Sequence, residues 1–520
     1  MFEQFFHKPF WITLAFLAGF FGISVMTFQT SFVLALLFVT GVLIFVLTWK
    51  RLDLGVTVAF AELFANSHGH LLSTSFGGFS LSLRMVVFLS VLSAWFFLCI
   101  TKKVSFSFRD KRFIPFIPLI VAAFLGLGIG FLRNNPVKVF QDGNAYFYLA
   151  YLLPVLSVSW NGEKKRVLLQ VLTASATWVG IMTLGLLFIF THFPEWVLGH
   201  VYTFIRDTRT GELTKMTGNL FRIFLQAQLS VVLIGFLLIP FFWMKKMIGK
   251  ERLWMMGMLG FFLSVLVISL SRSFWVGAAT GGFVFLFCLF RYHKPNSLRE
   301  VGSKLGMIIG AGFFSIILLV GIILFPYPYR IGSTSAFSSL FSSRATDVSD
   351  VAVSSRWKLL PAMWNHIEEH PIFGNGFGQE VEFQTDDPRV RAFSPDGTWR
   401  TYALEWGWLE LWLKMGILGP LAFLFLFGNL VYGLRPYVSG RIQPSWMGIG
   451  FLSGLVAVYA MHIFSPYLNH PLGLGFLIFL VPFLVSQPTL IKETDSEKEK
   501  TIAASFGNPQ PSFPMREESL

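Results

Sequence analysis

The chain has 520 residues, 54% of them hydrophobic and 13% charged, with a mean hydropathy of +0.63 and a formal net charge of +13. Soluble domains carry about 25% charged residues, so this composition excludes an ordinary water-soluble globule and implies a polytopic membrane protein. The two cysteines, Cys99 and Cys288, fall in apolar segments and offer no disulfide framework, and the ten histidines show no zinc-ligand spacing, so no metal is expected.

A membrane span needs about 20 apolar residues. Hydropathy places segments at residues 10–28, 32–49, 54–67, 82–100, 113–132, 143–159, 166–191, 223–243, 254–271, 274–290, 305–325, 405–433, 446–467 and 471–487. That is about fourteen spans, predicting an all-α transmembrane bundle. The first lacks a small-residue cleavage site and reads as a span. The third is short and carries Glu62, which suits a re-entrant or amphipathic piece.

Basic residues recur at every second gap: Lys50-Arg51, Lys102-Lys103 with Arg109 to Arg112, Lys164 to Arg166, Lys245 to Arg252, Arg291 to Lys304, and Arg435 with Arg441. The positive-inside rule puts these gaps and both termini in the cytoplasm. Gaps 29–31, 68–81, 133–142, 192–222, 326–404 and 468–470 then face outward. This bias accounts for most of the positive charge, so no nucleic-acid partner is expected. Four parts follow: a bundle at 1–325, a large extracytoplasmic loop at 326–404, C-terminal helices at 405–488, and a polar, Pro-rich tail at 489–520 too poor in apolar residues to fold alone.

Four arginines break the inside bias: Arg84, Arg133, Arg222 and Arg272 all fall at outward ends of spans. Each alone could snorkel to lipid phosphate or pair with an acid. Together with Arg356 they favour an anionic ligand such as a pyrophosphate, which guanidinium forks bind in bidentate fashion.

The large loop is the one long polar excursion between apolar segments. It holds a helical stretch from Ser354 to His370, then Gly374-Asn-Gly376-Phe-Gly378, whose spacing implies a tight backbone path. Glu405 sits where this loop re-enters the membrane. In a semi-apolar rim it could accept a proton from a hydroxyl, and it could equally complement a helix dipole. His366 and His370 read mainly as structural residues of the helix and its end, with a base role open to either. Trp357, Trp364, Trp399, Trp406, Trp408 and Trp412 crowd the region, as an interfacial belt first and a sugar-stacking platform second.

Ser355-Arg356-Trp357, His370-Pro-Ile-Phe-Gly374-Asn-Gly376-Phe-Gly378, Arg272-Ser-Phe-Trp-Val-Gly, and Glu405 to Gly416-Ile-Leu-Gly419 resemble the O-antigen ligase and polymerase superfamily. The resemblance implies a metal-independent, cofactor-free, inverting glycosyltransferase of GT-C-like fold in the cytoplasmic (inner) membrane. Such enzymes pass a glycan from undecaprenyl pyrophosphate to a glycan, lipid or protein acceptor at the outer face. Ligases of the family often carry a histidine at the position Glu405 occupies here; its absence weakens the case for transfer onto lipid A core and leaves polymerase or another acceptor equally open. On this reading Glu405 and Arg356 are the catalytic candidates, and Arg84, Arg133, Arg222, Arg272, His370 and Trp408 bind substrate. Two other readings stand beside it. A peptidoglycan-type lipid-linked polymerase would use a loop aspartate, for which Asp386, Asp387 and Asp396 are available, and a lipid-linked glycan flippase or transporter would also explain intramembrane charge.

Overall fold

The computed structural model describes residues 2–76, 79–216, 220–245, 247, 249–293, 297–329 and 351–484. The tail at 489–520 and loop residues 330–350 lie outside them. Among the described residues, ten helices are long and apolar enough to cross a membrane: Lys8–Thr27, Phe32–Lys50, Leu83–Ile100, Ile114–Arg133, Gly162–His192, Gln226–Met244, Lys250–Ser269, Arg272–Tyr292, Arg299–Leu324 and Leu418–Val438. The expectation of about fourteen is therefore not met by length and composition.

The other four segments are shorter or broken. Segment 54–67 becomes Leu52–Ala65, whose 14 residues reach only about 21 Å against a core of about 30 Å. Segment 143–159 divides into a 3-10 turn, Asn144–Tyr151, and a short helix, Leu152–Ser157, that contains Pro154. The last two become Ser445–Met461 and Pro471–Phe483. Segment 405–433 splits into Gly407–Met415 and Leu418–Val438 around Gly416, whose φ of 64° ends the first helix.

Position in the bundle explains which pieces are allowed to be short. In the most apolar 18-residue window of Lys8–Thr27 11% of residues are buried and in that of Gln226–Met244 83% are, so the first faces outward and the second is central. Phe38, Leu43, Phe124, Leu132, Phe283 and Ile317 are exposed, as lipid-facing positions would be. The Pro471–Leu480 helix has every residue from Leu472 to Leu480 buried. Broken backbone is tolerated at membrane depth where protein surrounds it, and this helix, Ser445–Met461 and Leu52–Ala65 occupy that interior.

The chain is helical as expected, and the polar connections add a few short strands. Three two-stranded antiparallel hairpins form among the described residues: Ser73–Phe76 with Phe79–Ser82, Glu212–Lys215 with Phe221–Phe224, and Val381–Gln384 with Thr398–Thr401. In the large loop the helix Val351–Glu369 packs on the third hairpin and on Gly407–Met415. Leu359, Met363, Ile367, Val381, Leu404 and Leu413 form a small apolar core of their own, separate from the main one.

Two features tie these connections down. The Arg84 side chain is buried and caps the C-terminal end of Leu52–Ala65. Its Nε lies 3.1 Å from the Glu62 carboxylate, Nη1 donates to the Ser67 carbonyl at 3.1 Å, and Nη2 reaches the carbonyls of Asn66 and Leu63. It thus satisfies carbonyls that a helix end leaves orphaned. The glycine loop is the second tie. Gly374, Gly376 and Gly378 have φ of 75°, 82° and 75°, and a Cβ on Gly376 would sit 2.3 Å from the Gly130 nitrogen. The Phe377 N–H donates to the Gly126 carbonyl at 3.1 Å, and the Asn134 amide donates to the Asn375 and Phe377 carbonyls at 3.1 and 2.8 Å. The loop is thereby stitched to the helix Ile117–Arg133 at backbone distance.

Gly376→Ala is expected to destabilise the protein by at least about 1–2 kcal/mol, from left-handed strain alone before the clash is added. Thermal unfolding of the purified chain in nanodiscs measures it. Arg84→Met, which strands a buried carboxylate, should cost about 3–5 kcal/mol, and Arg84→Met with Glu62→Gln should regain most of that loss.

Candidate active site

The corner between the helices Lys250–Ser269 and Arg272–Tyr292 places two of the predicted arginines together. Leu270 takes a left-handed φ of 46°, which ends the first helix and lets Arg272 open the second within one turn. Arg222, on the strand Phe221–Phe224, donates from Nε to the Ser269 carbonyl at 3.0 Å. Its guanidinium lies 5.0 Å from the centroid of the Phe224 ring and 3.9 Å from Glu212. Arg222 therefore contacts the chain three residues before Arg272. Ser273 hydrogen-bonds both Ser271, at 3.0 Å, and Ser465, at 3.1 Å. Phe274 lies between Phe224 and Tyr467, and the buried Tyr467 hydroxyl has no hydrogen-bond partner among the described residues.

A second group forms on the large loop. Arg356 and Glu405, 49 residues apart, form a salt bridge, with side chains 29% and 52% exposed. The Trp406 indole N–H donates to the Arg356 carbonyl at 2.9 Å, and Trp357 meets the Trp406 ring edge-on at 5.5 Å. The ion pair thus stands on an aromatic base and stays open to solvent on one side.

A short contact path joins the two groups. Trp406 rests on Phe464 with ring centroids 5.6 Å apart, Ser465 follows Phe464, and Ser465 bonds Ser273 beside Arg272. The Arg356–Glu405 pair is thereby joined through Trp406, Phe464 and Ser465 to the start of the helix that Arg272 opens, where Arg222 holds the Ser269 carbonyl. The chemistry of these groups suits an anion held next to a proton acceptor.

The remaining candidates lie elsewhere or face inward. Arg84 is taken up by Glu62 and by helix carbonyls, the geometry of a cap. Arg133 is exposed at the end of Ile117–Arg133, and no hydrogen bond or ion pair holds it among the described residues. His370 is exposed at the end of Val351–Glu369, and its carbonyl accepts from Gly374 at 2.9 Å. Trp408 is half-buried against Tyr459 and His462 at 5.8 and 5.2 Å, so its ring packs inward. Trp357 and Trp364 are the more exposed rings, at 58% and 45%.

Two of the loop aspartates are engaged locally. Asp386 pairs with Lys358 and, at 2.5 Å, with Arg391, and the Lys358 hydrogen bond holds its carboxyl below the usual range. Asp396 accepts from Ser394 and Thr398 at 2.6 and 2.5 Å, and those bonds push its pKa to about 2. Both bind the turn that carries the hairpin Val381–Gln384 with Thr398–Thr401.

Sequence reasoning passed over Asp142, Glu410 and Lys414, which are buried together. The Glu410–Lys414 spacing of four residues was a visible helical pair. Asp142 arrives from 272 residues away and left no local signal.

Residues 256–424 match the family model described as O-antigen ligase, a stretch that runs from the helix Lys250–Ser269 through the Arg272 corner and the Arg356–Glu405 pair into Leu418–Val438. No curated protein matches the chain. With ten long apolar helices among the described residues, the chain is a multi-pass membrane protein that carries an O-antigen ligase domain at residues 256–424.

Proposed function

We propose that the chain is a membrane glycosyltransferase that passes a glycan from undecaprenyl pyrophosphate to an acceptor hydroxyl at the outer face of the cytoplasmic membrane. The observation that carries this reading is the convergence of Arg356 and Glu405 on one rim, linked by contact to the Arg222 and Arg272 corner, inside the O-antigen ligase match. Glu405 takes the proton as the acceptor oxygen attacks the anomeric carbon from the face opposite the leaving group. The bond from that carbon to the pyrophosphate breaks, its electron pair leaves with the phosphate oxygen, and the anomeric configuration inverts. Arg222 and Arg272 meet the charge that develops there, the role for which fixed cationic donors are most effective. Arg356 holds the Glu405 carboxylate in place until the acceptor arrives. Neither a metal nor a cofactor enters the scheme, because guanidinium groups supply the positive charge. The exposed Trp357 and Trp364 rings offer faces for sugar stacking.

In nanodiscs with a lipid-linked glycan donor, Glu405→Gln should lower kcat by about 10²- to 10⁴-fold with donor KM little changed. Wild-type turnover in that variant would remove Glu405 as the base. Arg272→Gln should cost about 10²- to 10³-fold, as the loss of one charge-stabilising donor does. Deletion of the gene in its host should leave glycan on the lipid carrier, as single repeat units for a polymerase and as long chains for a ligase. Glycan retained on the cytoplasmic face would instead mean a transporter.

A further inference from the structure

Asp142, Glu410 and Lys414 touch none of the groups assigned to the transfer step. Lys414 is 1% exposed near the end of Gly407–Met415, with its ammonium bonded to Glu410 and 2.5 Å from Asp142 Oδ1. Asp142 belongs to a third element, the helix Pro136–Gly143, and its Oδ2 accepts the Gly378 N–H at 2.7 Å. The Lys414 carbonyl accepts the Gly376 N–H at 3.1 Å, and the Leu413 carbonyl accepts the Asn375 N–H at 2.8 Å. The Asn375 side-chain amide donates to the His366 carbonyl at 2.7 Å.

We propose that this cluster is a latch, with Asp142, Glu410 and Lys414 as positioning residues that hold Glu405 against Arg356 for the transfer. The proposal rests on the transferase reading. Arg356 and His366 lie on one helix, ten residues apart, about 15 Å along its axis. Glu405 precedes the other helix, and Lys414 lies nine residues on, at a similar reach. The two arms meet at the rim through Arg356 and Glu405, and again at the far end through His366, Asn375, Leu413 and Lys414.

The rim pair is half-exposed and screened by water, so it is too weak to hold the arms in register by itself. The far end is buried. An ammonium between two carboxylates there is shielded from solvent that would compete for it, and Asp142 anchors it to the glycine loop and to the Pro136–Gly143 helix. A shift of Lys414 along its helix axis would therefore carry Glu405 with it.

Asp142→Asn tests the latch, because it keeps an oxygen for Gly378 and removes the charge opposite Lys414. The full-length chain in nanodiscs, with Cys99 and Cys288 replaced by alanine, would carry spin labels at Glu369 and Ala403, one near each arm. Asp142→Asn should broaden the distance distribution between them. With lipid-linked glycan as donor it should lower kcat by about 10- to 100-fold, as a misplaced catalytic group does, with donor KM within about twofold. Combining it with Glu405→Gln should cost little beyond Glu405→Gln alone, since both act through one group.

An unbroadened distance would overturn the latch, and so would a loss that multiplies in full with that of Glu405→Gln. Wild-type protein that turns over no lipid-linked donor would sink the transferase reading instead, and the spin-label distances would then decide the latch by themselves.

Discussion

A charged group in a dry apolar bundle has to bring its own solvent with it, and the architecture follows from that requirement. Moving an ion out of water costs several kcal/mol even after relaxation, and the loss is offset only where counter-charge and hydrogen bonds converge on it. Lys414 meets this with Asp142 and Glu410, and Arg84 meets it with Glu62 and the carbonyls of Ser67, Asn66 and Leu63. Both solutions join elements distant in sequence. Charge satisfaction therefore does structural work that apolar packing alone would leave unspecified.

The same demand on backbone polar groups sorts the helices. Those facing outward are long and unbroken, because each N–H and C=O must be paired within the helix. The interior admits shorter pieces such as Leu52–Ala65 and Pro471–Leu480, whose ends find partners in neighbouring protein. Where the chain leaves the bundle it pairs strands in hairpins or, at Gly374 to Gly378, runs its backbone directly against the helix Ile117–Arg133. That close approach gives the large loop a firm seat. The carboxylate proposed as the base needs such a seat, since the proposed transfer step depends on placement to within about an ångström.

The charges of the candidate active site are divided between firm and open surroundings. Arg222 is fixed to the Ser269 carbonyl and packed on Phe224, which suits a donor that must be preorganised before charge develops. Glu405 is half-exposed, which suits a group that must meet an incoming hydroxyl. The serines at 271, 273 and 465 and the Tyr467 hydroxyl, which has no partner among the described residues, line the ground between, with hydrogen-bonding capacity for phosphate oxygens.

The amino-acid sequence by itself determined the membrane class, most of the long helices, the large polar loop, and the residue types that chemistry at an anionic donor would need. These are local properties: hydropathy over about 20 residues, the spacing of basic gaps, three glycines at alternate positions. It also singled out Arg356 and Glu405, though nothing in the chain between them says that they meet. That Arg84 serves as a structural cap was decided by tertiary structure, since Arg84 and Arg272 look alike at the edge of an apolar run. Only folding brought Glu62 to Arg84, Ser269 to Arg222 and Asp142 to Lys414. A pair separated by 272 residues leaves no periodicity to read, because its partners share neither a helix face nor a turn. The short and broken segments escaped for the same reason. Apolar content marks burial, but whether lipid or protein covers a segment depends on its neighbours in space.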